Sequence, residues 1–245
     1  MSPKIITFVG LNIVIMRKVF LFFGLVMMIT MSGNAQILGG RFGIKVGPTI
    51  DWASPGSTAV ENEGARMGFN VGLVAENYFT EHVAISSGLN FNFLRMKYEF
   101  TDFRLVEDFL EETDVNVSRQ LRATNIQIPL KAKVKFNVAD LFDLFAEAGA
   151  GLSFNVSDKG KDSYDFYWVS FDSDGYVDCT NQYRLLQFSM LVGVGAEYAI
   201  DRNFSAFAQL TLDHCFSNAF VSALEKQTGS VLRNNFVGLE VGILF

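Results

Sequence analysis

Residues 142–156 read FDLFAEAGAGLSFNV, and this stretch decides the fold of the chain. Leu144, Ala146 and the even-numbered residues after them are apolar, whereas Glu147, Gly149 and the odd-numbered residues after them are small or polar. A period of two residues is typical of a β-strand with one apolar and one polar face. A strand of this length is also long enough to cross a membrane as one wall segment of a barrel.

The same alternation recurs along the chain. We place eight such strands near residues 41–51, 65–79, 83–98, 122–136, 142–156, 183–199, 203–215 and 235–245. The connections at residues 80–82, 137–141 and 200–202 are short, and those that begin near residues 52, 99, 157 and 216 are long. Short turns that alternate with long loops are typical of an up-and-down barrel with tight periplasmic turns and external loops.

The direction of the two faces follows from the side chains that they carry. Glycines such as Gly72, Gly151 and Gly193 crowd the polar face, as expected where eight strands leave little space inside. The apolar face carries more Phe, Leu and Ile than so narrow a lumen can hold. We therefore predict an all-β fold, an eight-stranded antiparallel up-and-down transmembrane β-barrel with a polar, plugged lumen. A soluble periplasmic ligand-binding barrel, with the pattern inverted, is the alternative.

The composition and the start of the chain indicate secretion. The chain is 49% hydrophobic with 25 Phe, yet no internal run is as long as a membrane-spanning helix, which disfavours a helical membrane protein. Arg17 and Lys18, an apolar run to residue 31 and small residues up to Ala35 form the pattern of a secretory signal peptide. We expect residues 1–15 to precede the true start, 16–35 to be the signal and 36–245 to be the barrel domain.

The net charge disfavours one class of partner. The formal charge is −6, and every acidic residue follows residue 35. An acidic chain repels the phosphate backbone of nucleic acid, so we expect no nucleic-acid partner.

A set of charged residues falls on the polar face of the predicted strands. Its members are Lys45, Glu76, Lys131, Lys133, Lys135, Glu147, Glu197 and Glu240. Charges inside a narrow lumen must be paired, because an isolated buried charge is costly, so we expect a salt-bridged plug. A proton or ion path is the alternative.

The long connection at residues 157–182 is rich in aromatic and acidic residues. Its aromatic residues are Tyr164, Phe166, Tyr167, Trp168, Phe171 and Tyr176, which favour a contact surface or a cap over the barrel mouth. Asp172, Asp174 and Asp178 weakly resemble a calcium loop, although the downstream Glu of such loops is absent. Cys179 lies in this loop and Cys215 begins the next, so an external disulfide between them is one possibility.

Catalytic chemistry finds little support in the sequence. Asp213, His214 and Ser217 have the residue types of acyl-transfer enzymes, but neighbours on a strand point to opposite faces. We therefore expect no enzyme activity and no cofactor. The sequence favours a structural anchor and interaction protein, with a membrane-embedded enzyme or a narrow conduit as alternatives.

The order and spacing of several motifs resemble a known family. These motifs are Phe42-Gly43-Ile44-Lys45-Val46-Gly47, Ile126-Gln127-Ile128-Pro129-Leu130-Lys131, Ala148-Gly149-Ala150-Gly151, Val192-Gly193-Val194-Gly195-Ala196-Glu197-Tyr198 and the final Phe245. Together they resemble the PorT-like outer-membrane β-barrels, and the expected barrel is similar in size to OmpA and OmpX.

The resemblance implies a set of partners. It implies insertion into outer-membrane lipid with contact to lipopolysaccharide, recognition of Phe245 by the barrel assembly machinery, and an unknown extracellular or envelope protein partner. The name-giving members are linked to a secretion system; the secretion function itself is not carried over, and a place in an envelope or secretion-associated complex is an expectation for this chain.

Overall fold

The structure is a computed structural model that describes residues 39–56, 60–106, 111–139, 142–166, 169–173, 175–201, 204–222 and 231–245, with the backbone alone for 101–115 and 165–172. The expected upstream stretch, residues 1–15, and the expected signal, residues 16–35, lie outside the described residues. The described residues form ten strands: β1 (Gly39–Pro55), β2 (Val60–Tyr78), β3 (Val83–Val106), β4 (Glu111–Ala139), β5 (Phe142–Phe166), β6 (Val169–Asp172), β7 (Val177–Asp178), β8 (Leu186–Ala199), β9 (Ser205–Cys215) and β10 (Leu232–Leu244). No helix within the described residues is both long and apolar enough to cross a membrane.

Eight of these strands form a closed antiparallel ring, and the prediction of an eight-stranded up-and-down barrel is confirmed. The ring order is β1, β2, β3, β4, β5, β8, β9 and β10, and β10 pairs with β1 again. Phe42 and Phe245 complete this last seam by exchanging two backbone hydrogen bonds of 2.9 and 2.7 Å. β6 and β7 lie outside the ring and pair with the outer part of β5.

Through the lower part of the barrel, toward the periplasmic turns, the wall has its apolar face outward and its polar face inward. Leu130, Val194 and Leu239 are each more than half exposed on the outside, while Lys133, Glu240 and Gln127 are nearly inaccessible inside. A protein in water would have the opposite arrangement, since exposed apolar patches of this size are normally covered. The outer face is therefore the face that lipid covers.

Two of the predicted loops are instead extensions of the sheet. The connections expected to begin near residues 99 and 157 continue as β-ladder, with Val106 opposite Glu111 and Phe166 opposite Val169. β4 is 29 residues long, whereas a tilted strand needs about 9–11 residues to cross a membrane. The prediction of loops was wrong at these positions because alternating apolar residues such as Tyr98 and Val117 give the strands a buried face beyond the membrane.

The two faces of the wall exchange their polarity partway along β3. Below this point the inward residues are polar, ending with Asn90 and Asn92, and above it they are apolar, beginning with Leu94 and Met96. The outward residues change in the opposite sense after Phe93. A band of outward apolar residues therefore ends where an inward apolar core begins.

Candidate functional site

The lower lumen contains a network of ion pairs in three separate groups, in which each of the eight charged residues expected there has a partner. Two further residues, Arg41 and Asp143, belong to it. The pairs are Lys45–Glu240, Lys131–Glu147, Lys133–Glu76, Lys133–Glu197, Lys135–Glu197, Lys135–Asp143 and Arg41–Glu197. The network thus contains five cations and five carboxylates, so it carries no net charge.

Glu197 on β8 is the centre of the periplasmic half of this network. Its carboxylate accepts hydrogen bonds from Arg41 and, at 3.1 and 3.4 Å, from Lys135 and Lys133. Lys133 also donates to Glu76, whose other oxygen accepts a 2.8 Å bond from Tyr78. A buried carboxylate that contacts three cations holds three strands together, because Glu197 lies on β8 and those cations come from β1 and β4.

A second centre lies higher in the lumen around Glu240 on β10. Its carboxylate accepts bonds of 3.0 and 2.9 Å from Lys45, one from Gln209 and one of 3.1 Å from Thr211. Nearby, Lys131 donates to Glu147, against which Gly193 packs so closely that a Cβ atom there would lie 2.8 Å from Glu147 Cγ. The small residues of the polar face therefore provide the space that the ion pairs occupy.

Uncharged polar side chains cover this network on its outer side. Asn70 donates to Asn92, Asn90 donates to Gln127 at 3.1 Å, and the Gln127 amide donates to Asp213 at 2.6 Å. Such a layer binds its members to one another and leaves no continuous row of charges toward the outside.

The residues that resembled an acyl-transfer triad do not converge. The Asp213 carboxylate is buried in the lumen, whereas His214 is exposed on the outer face of β9. The Ser217 hydroxyl accepts a 2.8 Å bond from the backbone N–H of Phe188. The three groups therefore lie apart, and this arrangement offers no nucleophile with an adjacent base.

An apolar core closes the outer mouth of the barrel. Its members include Tyr98, Phe100, Leu121, Tyr183, Phe220 and Leu232, each at most 5% exposed. Tyr183 and Phe220 belong to the external connections and form a β-bridge with each other inside the mouth. Burial raises the pKa of Tyr98 to about 12, so its hydroxyl stays protonated where it meets the hydroxyl of Tyr183.

Arg119 on β4 binds two groups at the outer mouth, Asp162 on β5 and Gln182 in the connection that follows β5. Its guanidinium donates to both Asp162 carboxylate oxygens, at 2.6 and 2.7 Å, and to the Gln182 side-chain oxygen, and it lies over the Phe100 ring. Burial alone would lower the pKa of Arg119, but the bonds to Asp162 outweigh it and the pKa is raised. The outer mouth is therefore closed by packing and by a bidentate ion pair.

The aromatic residues predicted as a contact surface divide into two groups. Tyr164 packs against the apolar core, and the Tyr176 ring lies on the outer face of β4, 3.8 Å from the Arg122 guanidinium. The side chains of Phe166, Tyr167, Trp168 and Phe171 lie outside the described residues. One described residue of the set thus contributes to a cap, and the other lies on the surface.

The calcium and disulfide hypotheses receive no support from the positions of their residues. Asp178 is exposed and its Oδ1 accepts bonds from the Thr180 amide and hydroxyl, while the side chains of Asp172 and Asp174 are not among those described. Within the described residues no three metal-ligating side chains gather.

Cys179 and Cys215 are both free, buried thiols at separate places. Cys179 lies beside Gly160 and Arg119, where burial raises its pKa to about 11. The Cys215 thiol lies against the carbonyls of Phe188 and Ser217.

Phe245 lies at the periplasmic end of the barrel. Its ring is 52% exposed on the outer face and packs against the ring of Phe204 at 6.3 Å between centroids. The position leaves the ring accessible from the membrane side of the seam between β1 and β10.

One comparison with known proteins identifies a family for this chain. A family model, the outer membrane protein beta-barrel domain, matches residues 34–222. The solved structure of Neisserial surface protein A is similar at 13% identity and a TM-score of 0.42, over 84% of this chain and 97% of that one. Ail of Yersinia pestis, in complex with the heparin analogue sucrose octasulfate, is 14% identical with a TM-score of 0.33, over 84% and 99%.

The outer membrane protease OmpT of Escherichia coli is 10% identical with a TM-score of 0.41, over 84% of this chain and 96% of that one. A search of the curated proteins finds no match. The family model alone spans well over half of the sequence. This chain therefore belongs to the outer membrane protein beta-barrel domain family and is a β-barrel protein of the bacterial outer membrane.

Proposed function

We propose that this protein is an anchor that holds a folded extracellular β-sheet at the cell surface for contact with a protein partner. The observation that carries the proposal is the continuation of β3, β4 and β5 past the membrane band, where the wall acquires an inward apolar core. A loop that only joined strands would need no such core, because disordered surface loops bury little apolar area.

A closed barrel favours the anchor over the conduit. The five cations and five carboxylates of the lower lumen neutralise one another, and the apolar core around Tyr98 and Phe220 lies across the outer mouth. An ion entering from outside would have to cross this apolar layer without compensation. The proposal therefore expects no steady conductance in a planar bilayer, whereas open-channel steps would favour the conduit.

The finer family assignment and the route to the membrane form part of the same proposal. The motifs around Ile126–Lys131 and Val192–Tyr198 support a PorT-like member, which implies a place in an envelope or secretion-associated complex. The accessible ring of Phe245 supports recognition by the barrel assembly machinery after cleavage of a signal peptide. No described group of side chains supports a catalytic role.

We assign the partner contact to the hairpin of β5 and β6 because it combines aromatic content with acidic residues. The hairpin projects beyond Asp162, whose bond to Arg119 fixes its base to the barrel wall. Its turn can be shortened without disturbing that base, since Tyr164 and Phe171 face each other in the register.

The test replaces residues 165–170 by Asn-Gly, which favours a two-residue hairpin turn between Tyr164 and Phe171. We expect normal heat-modifiable migration on gels and loss of protein crosslinks in intact cells. The matched control replaces residues 102–115 by Asn-Gly between Thr101 and Asn116, which also face each other. The control should retain the crosslinks, and the reverse result would assign the contact to the β3–β4 hairpin instead.

A further inference from the structure

Three cationic side chains form a row across the outer face of the wall. Arg95 on β3 lies opposite Arg122 on β4, and Arg122 lies opposite Lys159 on β5. All three side chains are exposed, and the residues on either side of each one point into the interior. The row therefore presents three positive charges side by side, away from the lumen.

The height of this row relative to the membrane follows from the register. The outward row of Phe91, Ile126 and Phe154 is apolar, and the next row outward, Phe93 with Thr124 and Ser157, is uncharged. The basic row comes next, about 5 Å farther along the barrel axis for a strand tilted by about 40°. This distance places the basic row at the level of the lipid headgroups.

Two carboxylates attract cations of the row from a distance, Asp51 for Arg95 and Asp178 for Lys159. None of the three side chains forms an ion pair with another described residue. Asp178 lies opposite Lys159, but its Oδ1 already accepts two bonds from Thr180, and Arg122 contacts the face of the Tyr176 ring. Like charges directly opposite each other on a sheet are destabilising, so this row costs stability unless an anion binds to it.

We infer that the row of Arg95, Arg122 and Lys159 binds the phosphate groups of lipopolysaccharide in the outer leaflet. The row continues directly from the lipid-facing apolar band, so the acyl chains and the phosphates of one molecule can contact both surfaces. Two guanidinium groups suit phosphate because each can donate two parallel hydrogen bonds. The row is a local concentration of positive charge in a chain of net charge −6, and its sign is complementary to an anionic headgroup.

The test uses the full barrel in an uncharged detergent without divalent cations, with diphosphorylated lipid A as the probe. The variant is Arg95→Gln with Lys159→Gln, which removes both like-charge pairs and keeps the contact of Arg122 with Tyr176. Each cation near an anionic lipid surface contributes about fivefold to affinity, so the variant should bind about 25-fold more weakly. Without lipid, the variant should unfold at a higher temperature than the wild type, which a merely structural role would not produce.

The control variant is Arg233→Gln on β10, an outward cation that lies four strands away from Arg122 around the ring. It should bind lipid A with the affinity of the wild type. Equal binding by the double variant and the wild type would overturn the inference, as would equal binding of dephosphorylated lipid A. Stabilisation of the wild type by millimolar inorganic phosphate to the same degree would also overturn it, because the row would then be a general anion site.

Discussion

Phe93 and Leu94 are neighbours on β3, and between them the barrel wall exchanges its polar and apolar faces. Phe93 is 44% exposed on the lipid side, whereas Leu94 is 4% exposed within the apolar core at the outer mouth. Two successive apolar residues break the period of two, and the change of phase marks the height at which the lipid ends. At this height the pairing of β3 with β4 is continuous, whereas its register with β2 shifts between Phe93 and Met96.

The apolar core above this height should stabilise the barrel as a core does in water. Leu121→Ala on β4 removes a side chain that is 1% exposed and should lower the free energy of unfolding by about 2–5 kcal/mol. Leu130→Ala on the same strand removes a lipid-facing side chain that is 60% exposed and should cost about 1 kcal/mol or less. Urea unfolding in detergent micelles measures both, and equal losses would contradict a packed outer core.

The alternation in the sequence was sufficient to predict the ring and the contents of the lumen, but it did not predict the structure of the outer mouth. The glycine-rich polar face around Gly151 and Gly193 indicated which side points inward, and each of the eight charged residues expected there has an ion-pair partner in the structure. Arg119, Tyr98 and Tyr183 were missed because the strands were assumed to end where the outward face became polar. The phase change at Phe93 and Leu94 was the available signal.

The chemistry of the external connections could not be read from residue types alone. Cys179 and Cys215 are both external, but a disulfide requires close Cα atoms and suitable side-chain directions, which the sequence does not contain. The same holds for Asp178, whose carboxylate binds Thr180 within a local turn.

The ion pairs of the lower lumen should behave as a buried network. Glu147→Leu leaves the Lys131 ammonium without its carboxylate and should lower the free energy of unfolding by about 3–5 kcal/mol. The double variant Lys131→Leu with Glu147→Leu removes both charges and should recover most of that loss, because a buried pair can be replaced by apolar residues at little net cost. If Glu147→Leu unfolds at the wild-type urea concentration, the pair is not shielded from water.

Asp158, which lies above the membrane band on β5, should make the stability depend on pH. The side chain is 1% exposed, and burial raises its pKa to about 7 although Asn155 donates a hydrogen bond to it. A carboxyl whose pKa is raised in the folded state binds its proton more tightly there than in the unfolded chain. Stability from this group is therefore present at low pH and is lost as the pH rises from about 4 to about 7.

Asp158→Asn should remove this dependence, because the amide stays neutral and keeps the shape of the protonated carboxyl. At pH 8 the variant should be more stable than the wild type by on the order of 1–3 kcal/mol, and near pH 4 the two should unfold alike. Glu81→Gln is the matched control, since Glu81 is an exposed carboxylate in the turn between β2 and β3. That control should show no gain at pH 8. If the stability of the wild type instead rises between pH 4 and 7, and Asp158→Asn follows the same curve, then Asp158 is ionised and solvated in the folded barrel.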